Sequence, residues 1–390
     1  MTYNGLDVVR NTRFNLLRGK RVGLVTHPAA LTGDLVPALE VVQAATEFQL
    51  VALFGPEHGI TGEAQDLIPV AGGSGGELRV HSLYGESFAS LNPTPAMLAG
   101  LDVLVIDLVD IGSRYYTFQA TMLYCLEACA ELGLPVVVLD RPNPIGGVQV
   151  EGPTIQPGFD SFVGPHPIAT RHGLTMGELA KLYQAERVPT VDLHVVACEG
   201  YDRRQPCGWH VPPSPNMPHL ETATIYPGMC LIEGTNLSEG RGTTRPFQYV
   251  GMPYPPRTIV RGRSLVQHLR GMNLPGVVFL PAEFRPTFQK HAGQTCAGVY
   301  IIPTGDCFRP VRTGLAVLCA FREHFGDAFR WRSETYEFVS HIPAIDLLFG
   351  SARERLAIDV GTPWQDIAAT WEPEEEAFRQ RREAYLLYRE

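Results

Sequence analysis

Continuous apolar runs of strand length alternate with helical patterns through the first 200 residues of this 390-residue chain. A strand that is apolar on both faces is typical of a parallel sheet covered by helices on both sides. The alternation therefore predicts an α/β fold with a mostly parallel sheet. The predicted strands are residues 21–26, 49–54, 102–108, 135–139 and 191–198, and the predicted helices are residues 34–45, 116–133 and 175–186.

The pattern changes in the second half of the chain. Residues 222–232 form another apolar run, and we predict a strand there. After about residue 250 the signals become shorter and mixed, which indicates a smaller α+β unit. We therefore predict two domains, residues 1–247 and residues 248–390, in line with the roughly 100–200 residues of an average domain.

Helix starts in the second unit are marked by capping boxes, in which a Ser or Thr pairs with a Gln three residues later. Ser264 with Gln267 forms one such pair, and Thr362 with Gln365 forms another, with a proline at the first helical position. The charged residues 374–390 predict a surface helix at the end of the chain.

Charge and composition exclude several classes of partner. The formal net charge is −9 and the basic residues form no stripe, so we predict no binding to nucleic acid. No apolar run approaches the 20 or so residues that cross a bilayer, and the N-terminal segment lacks the apolar centre of a signal peptide. Eight cysteines occur without metal-ligand spacing, which favours thiols in a reducing cytoplasm. We predict a cytoplasmic protein without a metal or cofactor.

Polar loops follow the predicted strands at the edge where open α/β sheets bind ligands. These loops are residues 55–59 (GPEHG), 109–116 (VDIGSRYY), 140–147 (DRPNPIGG) and 233–243 (EGTNLSEGRGT). Because the carboxyl ends of parallel strands meet at one edge, we expect the four loops to form one site. Their side chains suit a polar, hydroxylated ligand such as a sugar.

Acidic residues are concentrated in and next to these loops. Glycoside hydrolysis requires two carboxyl groups, one protonated to assist the leaving group and one ionised as base or nucleophile. Either role is open to any acid here, and the alternative for each is a structural role as an acceptor of backbone N–H groups. The candidates are Glu57, Asp107, Asp110, Glu233 and Glu239.

Cations and aromatic side chains accompany the acids. Arg114, Arg141 and Arg241 could each bind a carboxylate on the ligand through two hydrogen bonds, or could pair with the neighbouring acids instead. Tyr115 and Tyr116 offer ring faces to a sugar. Further polar side chains that we expect to bind the substrate are Asp107, Asp110, Asn143, Asn216, Asn236 and Thr243.

The same loops carry a resemblance to a known family. The sequence resembles the NamZ-like exo-β-N-acetylmuramidases, formerly a bacterial domain of unknown function of the YbbC type. The matching stretches spread over the first 250 residues and are GLVTHPAALT (23–32), LFGPEHGITG (53–62), HSLYG (81–85), DVLVIDLVDIGSRYYTF (102–118), VLDRPNPIGG (138–147), EGP (151–153), RHGLTMGELA (171–180), PPSPNMP (212–218) and YPGMCLIEGTNLSEGRGTTRPF (226–247).

The resemblance implies both a fold and an activity. It implies a Rossmann-like catalytic domain, a smaller C-terminal domain and a site in the cleft between them. It also implies release of N-acetylmuramic acid from the non-reducing end of peptidoglycan fragments. The lactyl carboxylate of that sugar would explain the arginines, and an acidic catalytic residue in the GPEHG loop agrees with the choice of Glu57 from the residues alone.

Our main hypothesis is therefore an exo-acting glycosidase on a small sugar substrate. Glu57 is the predicted general acid, and His58 orients it or binds a sugar hydroxyl. Glu239 is the first choice for the second carboxylate and Glu233 the next. The alternatives are a non-catalytic muramyl-sugar-binding protein and a nucleotide-dependent enzyme, although no G-x-G-x-x-G motif follows the first strand. The sequence specifies neither the stereochemical outcome nor an oligomeric state.

Overall fold

Two sheets organise the chain. A computed structural model describes residues 2–62, 73–75, 78–253 and 264–388. Within these ranges the first sheet has seven strands, six of them parallel, and the second has three antiparallel strands. This architecture confirms the predicted α/β fold with a Rossmann-like, mostly parallel sheet and a smaller α+β unit.

The first sheet is built from the predicted apolar runs. Its strands are β1 (Arg21–Thr26), β2 (Gln49–Gly55), β3 (Gly73–Gly75), β4 (Leu78–Ser82), β5 (Val103–Asp107), β6 (Val136–Leu139) and β7 (Leu193–Val196). Their order is β3-β4-β2-β1-β5-β6-β7, and only β3 runs antiparallel to its neighbour. The chain extends the sheet in opposite directions from β1 and β5. Ligands of open α/β sheets bind at such a switch point, beyond the carboxyl ends of the strands.

Helices cover both faces of this sheet. They are α1 (Gly5–Asn11), α2 (Ala38–Ala44), α3 (Pro95–Leu98), α4 (Phe118–Leu132) and α5 (Met176–Glu186). A further helix, α6 (Leu220–Met229), packs mainly against the second unit. The helix predicted at residues 34–45 begins only after Pro37, because the backbone of that proline is extended (φ −59°, ψ 140°). Helix α4 ends as predicted at Gly133, whose φ of +62° favours glycine.

The strand predicted at residues 222–232 is wrong. This segment forms α6 and a following 3₁₀ turn, Cys230–Gly234. Almost every residue of α6 from Thr222 onward is buried, so the helix is apolar on all sides and has no 3.6-residue period to distinguish it from a buried strand.

The second unit is organised around the three-stranded sheet. Its sheet has the order β8 (Tyr249–Pro253), β10 (Cys296–Pro303), β9 (Val277–Phe284). Its helices are α7 (Leu265–Gly271), α8 (Pro310–Phe325), α9 (Ala344–Phe349), α10 (Arg353–Asp359), α11 (Trp364–Ala369) and α12 (Glu372–Arg382). The domain boundary between residues 247 and 248 stays a prediction. Across the described ranges, no helix is both long and apolar enough to cross a membrane.

Helix capping in the second unit follows the sequence only in part. The Ser264–Gln267 capping box is formed at the start of α7. The box predicted at Thr362 is not formed, because the N-cap of α11 is Pro363 and no side chain caps it. The predicted C-terminal helix ends at Arg382, is followed by a 3₁₀ turn, and the chain then extends toward Tyr388, whose hydroxyl donates to the buried Asp140.

One apolar core runs from the first sheet into the second unit. It contains Ile106 of β5 and Leu123 of α4, and it continues through Met229 of α6 to Leu315 of α8 and Val299 of β10. A second cluster lies on the opposite face of the first sheet, under α1 and α2. The elements around the carboxyl ends of β2 and β5 are therefore packed against both units.

Candidate active site

A cavity lies where loops of the first sheet meet the second unit. Most of its wall comes from residues before 248, and Tyr336 and Glu337 come from the second unit. The lining residues are Glu57, His58, Tyr115, Tyr116, Thr117, Val163, Ser214, Asn216, Met217, Tyr226, Glu233, Arg241, Phe247, Tyr336 and Glu337. The predicted site residues brought together here are Glu57, His58, Tyr115, Tyr116, Asn216, Glu233 and Arg241.

Glu57 is delivered to the cavity by a tight turn after β2. A Cβ atom on Gly55 would lie 2.6 Å from the backbone nitrogen of Ile60, so only glycine allows the turn to close. His58 follows with a φ of +72°, an unusual value for a histidine. The Thr117 hydroxyl donates to Oε2 of Glu57 at 2.5 Å, and the glutamate is buried. The carboxyl group is thus fixed in a buried part of the cavity wall.

Glu233 is held by a cation and a phenol. Its Oε1 accepts from Nη2 of Arg241 at 2.6 Å, and its Oε2 accepts from the Tyr336 hydroxyl at 2.7 Å. Burial raises the pKa of Tyr336 well above its ordinary value, and the nearby Glu233 charge raises it further. The phenol therefore keeps its proton and remains a donor. Arg241 also lies over the ring of Phe247, 4.9 Å from its centroid.

Glu239 lies behind this pair and outside the cavity wall. Its side chain is buried, with Nζ of Lys290 2.7 Å from Oε2 and Nε of Arg241 3.5 Å from Oε1. Arg241 therefore lies between Glu233 and Glu239. This arrangement fixes the guanidinium at the wall and gives Glu239 two cationic neighbours.

Asp107 and Arg141 pair with each other rather than facing the cavity. Arg141 donates to both carboxylate oxygens of Asp107, at 2.5 and 2.9 Å, and to the carbonyl of Leu31. Both side chains are buried at the carboxyl ends of β5 and β6. This ion pair is the structural alternative that the sequence left open for Arg141.

Arg114 is buried completely and binds backbone. It donates to the carbonyls of Pro153, Ile168, Leu348 and Phe349, at 2.5 to 3.1 Å. Two of these acceptors precede residue 248 and two follow it, so this arginine connects the two units, and it is not among the residues that line the cavity.

Four other predicted residues bond to nearby backbone and are not part of the cavity wall. Asp110 accepts from Gly112, and Asn143 accepts from Ile145 and donates to Leu174. The bonds of Asp110 with Gly112 and of Asn143 with Ile145 span two residues each and shape turns, whereas Leu174 is distant from Asn143 in the chain. The remaining two are Asn236, which bonds to Ala328 and Arg330, and Thr243, which donates to Gly240.

Several wall residues were not predicted. Thr117 directly follows the predicted tyrosine pair, and Ser214 and Met217 flank Asn216, so the same loops could have suggested them. Glu337 had no such signal, because it lies far along the chain in a segment without a strand pattern or motif. Its carboxylate accepts from the Tyr84 hydroxyl at 3.2 Å, and the glutamate is buried.

Comparison with protein families covers both units. A model described as exo-beta-N-acetylmuramidase NamZ, N-terminal, matches residues 22–221, and its C-terminal counterpart matches residues 224–388. This chain belongs to the NamZ family. The two NamZ models meet near residue 222, at the start of α6, whereas the predicted domain boundary lies at residue 247.

Similar proteins match over the full length. The peptidoglycan beta-N-acetylmuramidase NamZ of Bacillus subtilis (strain 168) is 40% identical over 399 residues, covering 98% of this chain and 91% of the relative. Crystal structures of two DUF1343 family proteins from Bacteroides fragilis NCTC 9343 have TM-scores of 0.87 and 0.78, with 32% and 28% identity. Each covers 100% of this chain and 99% of the solved chain. The NamZ likeness therefore includes both units that line the cavity.

Proposed function

We propose that this chain is an exo-β-N-acetylmuramidase that releases N-acetylmuramic acid from the non-reducing end of peptidoglycan fragments. The observation that carries the proposal is the buried Glu57 carboxyl group in a polar, aromatic-lined cavity of a chain that belongs to this family. A buried acid beside tyrosine rings and an arginine suits hydrolysis of an acidic sugar.

Glu57 acts as the general acid. Its proton passes to the oxygen of the leaving sugar as the bond from that oxygen to the anomeric carbon breaks. Thr117 holds the carboxyl group through Oε2, and we assign the other oxygen, Oε1, to the proton transfer. His58, the next residue along the wall, orients the acid or binds a sugar hydroxyl.

Arg241 is the proposed contact for the lactyl carboxylate. It is the arginine on the cavity wall, and Glu233 and the Phe247 ring hold its plane in place. Asn216, Tyr115 and Tyr116 bind the sugar ring and its hydroxyls. For the predicted residues outside the wall, including Arg114 and Arg141, we propose supporting roles in placing these loops.

Substitution of the acid tests this assignment. We expect Glu57→Gln to lower kcat on a muramic-acid–glucosamine disaccharide by about a thousand-fold, since general acid catalysis contributes 10²–10⁴-fold. The same variant should lose much less on 4-nitrophenyl β-N-acetylmuramic acid, because 4-nitrophenolate leaves without a proton. Glu86→Gln, at an exposed position, is the matched control.

Three results would contradict the proposal. Equal turnover by Glu57→Gln and wild type on the disaccharide would remove Glu57 from the acid role. Release of internal fragments from long glycan strands, instead of single muramic acid units, would contradict the exo action. Tight binding of muramyl sugars by calorimetry, with no product over days, would favour a sugar-binding protein.

We also propose that the enzyme works in the cytoplasm on small wall fragments. The eight cysteines are free thiols, and two of them, Cys207 and Cys307, are exposed, as suits a reducing compartment. Fractionation of cells followed by detection of the native chain tests the location, and recovery from the medium or the cell wall would contradict it.

A further inference from the structure

A strained turn brings Glu337 to the cavity. The backbone groups of Tyr336 and Val339 bond to each other in both directions at 2.9 Å, which closes a two-residue turn over Glu337 and Phe338. The φ angles of these two central residues are +44° and +68°. Turns with two positive φ values are normally made by Asn-Gly or Gly-Gly, because a side chain clashes with the backbone there.

Contacts from the first unit hold the strained turn in place. The Tyr84 hydroxyl donates to Oε2 of Glu337, and the Tyr84 ring packs against Phe338, with centroids 5.8 Å apart. On the other side, Tyr336 donates to Glu233 at the cavity wall. The position of the Glu337 carboxylate is therefore determined by residues that belong to the cavity and to the loop after β4.

Strained residues are concentrated at this cavity. Ten non-glycine residues of the described ranges have a positive φ, and three of them are wall residues: His58, Phe247 and Glu337. Phe338, next to Glu337, is a fourth in the same region. Unfavourable backbone conformations persist where the surrounding structure imposes them, and they cluster at active sites. A glutamate kept in such a conformation points to a function for its side chain.

The geometry points to Glu337 as the ionised carboxylate that works with Glu57, and this inference rests on the proposed function. The two sequence-predicted candidates are engaged in holding Arg241. Both oxygens of Glu233 accept from Arg241 and Tyr336, and Glu239 lies behind the wall beside Lys290. Glu337 stands on the wall itself and comes from the second unit, whereas Glu57 comes from the first.

Two carboxyl groups on one cavity complete the reaction. In an inverting enzyme, water attacks the anomeric carbon, its proton passes to Glu337, and the proton of Glu57 goes to the departing oxygen. In a retaining enzyme, Glu337 forms a bond to the anomeric carbon while the bond to the leaving oxygen breaks and that oxygen takes the proton of Glu57. Water then attacks the anomeric carbon, gives a proton to Glu57 and displaces Glu337. Either route needs Glu337 ionised and Glu57 protonated at the start.

Chemical rescue tests this role directly. We expect Glu337→Gly to lower kcat by about a thousand-fold on both the disaccharide and the 4-nitrophenyl substrate, because its loss affects attack rather than departure. Added formate or azide should enter the space left by the side chain and raise the kcat of the variant roughly ten-fold or more. Rescue by a small anion separates a catalytic carboxylate from a merely structural one.

Stability serves as the control for folding. Glycine adopts a positive φ without penalty, and this relief offsets the loss of the hydrogen bond from Tyr84, so Glu337→Gly should keep a melting temperature close to that of the wild type while activity is lost. Arg13→Gly, at an exposed residue with a φ of +52°, is matched for backbone relief and should keep full activity. Glu337→Gln provides a second inactive variant that leaves the turn unchanged.

The outcomes separate this inference from the proposed function. Wild-type release of muramic acid combined with near-normal turnover by Glu337→Gly overturns the role of Glu337 alone. Loss of activity without rescue by formate or azide also overturns it and makes Glu337 a positioning residue. Absence of any release by the wild-type protein from muramic acid substrates refutes the proposed function itself.

Discussion

His27 is the buried histidine that directly follows β1. Its Nε2 accepts a hydrogen bond from the backbone N–H of Val109 at 2.9 Å. Burial, together with the smaller effects of the charges of Arg141 and His58, lowers the pKa of His27 from 6.5 to about 3. The ring is therefore neutral in the folded protein at neutral pH.

This neutral histidine makes stability depend on pH. Below pH 6.5 the unfolded chain binds a proton at His27 that the folded chain does not bind, so stability falls as the pH falls toward 3. The loss between pH 7 and pH 4 amounts to roughly 3 kcal/mol from this group. The side-chain oxygen of glutamine can still accept from Val109. His27→Gln should therefore remove this contribution to the dependence of stability on pH.

Urea unfolding at pH 7, 5.5 and 4 measures the effect. We expect the stability difference between wild type and His27→Gln to change by roughly 3 kcal/mol in favour of the variant between the highest and lowest pH. His194→Gln, at an exposed residue, is the control and should follow the wild-type curve. Parallel curves for wild type and His27→Gln would contradict the prediction.

The position of Glu57 on the cavity wall could be predicted from the sequence, whereas that of Glu337 could not, for a physical reason. Glu57 directly follows a buried strand, so the direction of the strand alone places it at the ligand-binding edge. Glu337 is placed by its contact with Tyr84, from a segment very distant in the chain. Glu239 was predicted at the site but lies outside the cavity wall. The local sequence could not indicate this, because its ion-pair partner Lys290 is distant in the chain.

The parallel strands could be predicted from the sequence, whereas helix α6 could not. Strands β1, β5 and β6 are apolar on both faces and bounded by polar turns, which leaves one interpretation. Helix α6 is equally apolar but packs on all sides, against α8 in particular. Its helical period is hidden because α6 has no solvent-facing side.

The contact between α6 and α8 depends on two glycines. A Cβ atom on Gly228 would lie 1.8 Å from the carbonyl oxygen of Pro310, and one on Gly314 would lie 2.2 Å from the carbonyl oxygen of Gly228. Both obstacles are backbone atoms, which no rotamer change can remove. The two helices can approach this closely only because neither residue has a side chain.

We expect Gly228→Ala to lower the free energy of unfolding by about 3 kcal/mol, since insertion of an atom into a packed contact typically costs 1–3 kcal/mol and occasionally more. Gly271→Ala in α7 is the control, because nothing lies within 4 Å of its Cβ position. That variant should be neutral or more stable by about 0.5 kcal/mol. Equal stabilities of the two variants in urea would show that α6 and α8 are not tightly packed.

The wall of the cavity is formed by residues of both units. Glu57 and Thr117 lie in the range of the N-terminal family model, and Tyr336 and Glu337 lie in that of the C-terminal model. The sequence predicted a two-part chain correctly. It did not reveal how the second unit enters the site, because this depends on where the chain returns after α8.

Helix α12 secures the return of the chain to the first unit. Its Arg382 is buried, and Nη1 donates to the carbonyls of Gly147, His172 and Gly173 at 2.9 to 3.0 Å. Nη2 donates to Val148 at 3.0 Å. Burial lowers the pKa of Arg382 to about 10, so the guanidinium stays charged at neutral pH. These bonds join two loops of the first unit to the last helix.

Arg382→Met tests whether the two units unfold together. Hydrogen bonds to a charged group contribute about 1.5–3 kcal/mol each, and the loss of this set leaves buried carbonyls without a donor, so we expect a cost of roughly 3 kcal/mol or more. Arg379→Met on the same helix removes only an exposed pair with Glu376 and should cost less than about 0.5 kcal/mol.

Tryptophan fluorescence and far-UV circular dichroism during urea unfolding should give coincident transitions for all three proteins, shifted as a whole in Arg382→Met. The prediction is that both units unfold together and that Arg382 stabilises their contact. Two separate transitions in Arg382→Met would contradict the first part, and a shift no larger than that of Arg379→Met would contradict the second.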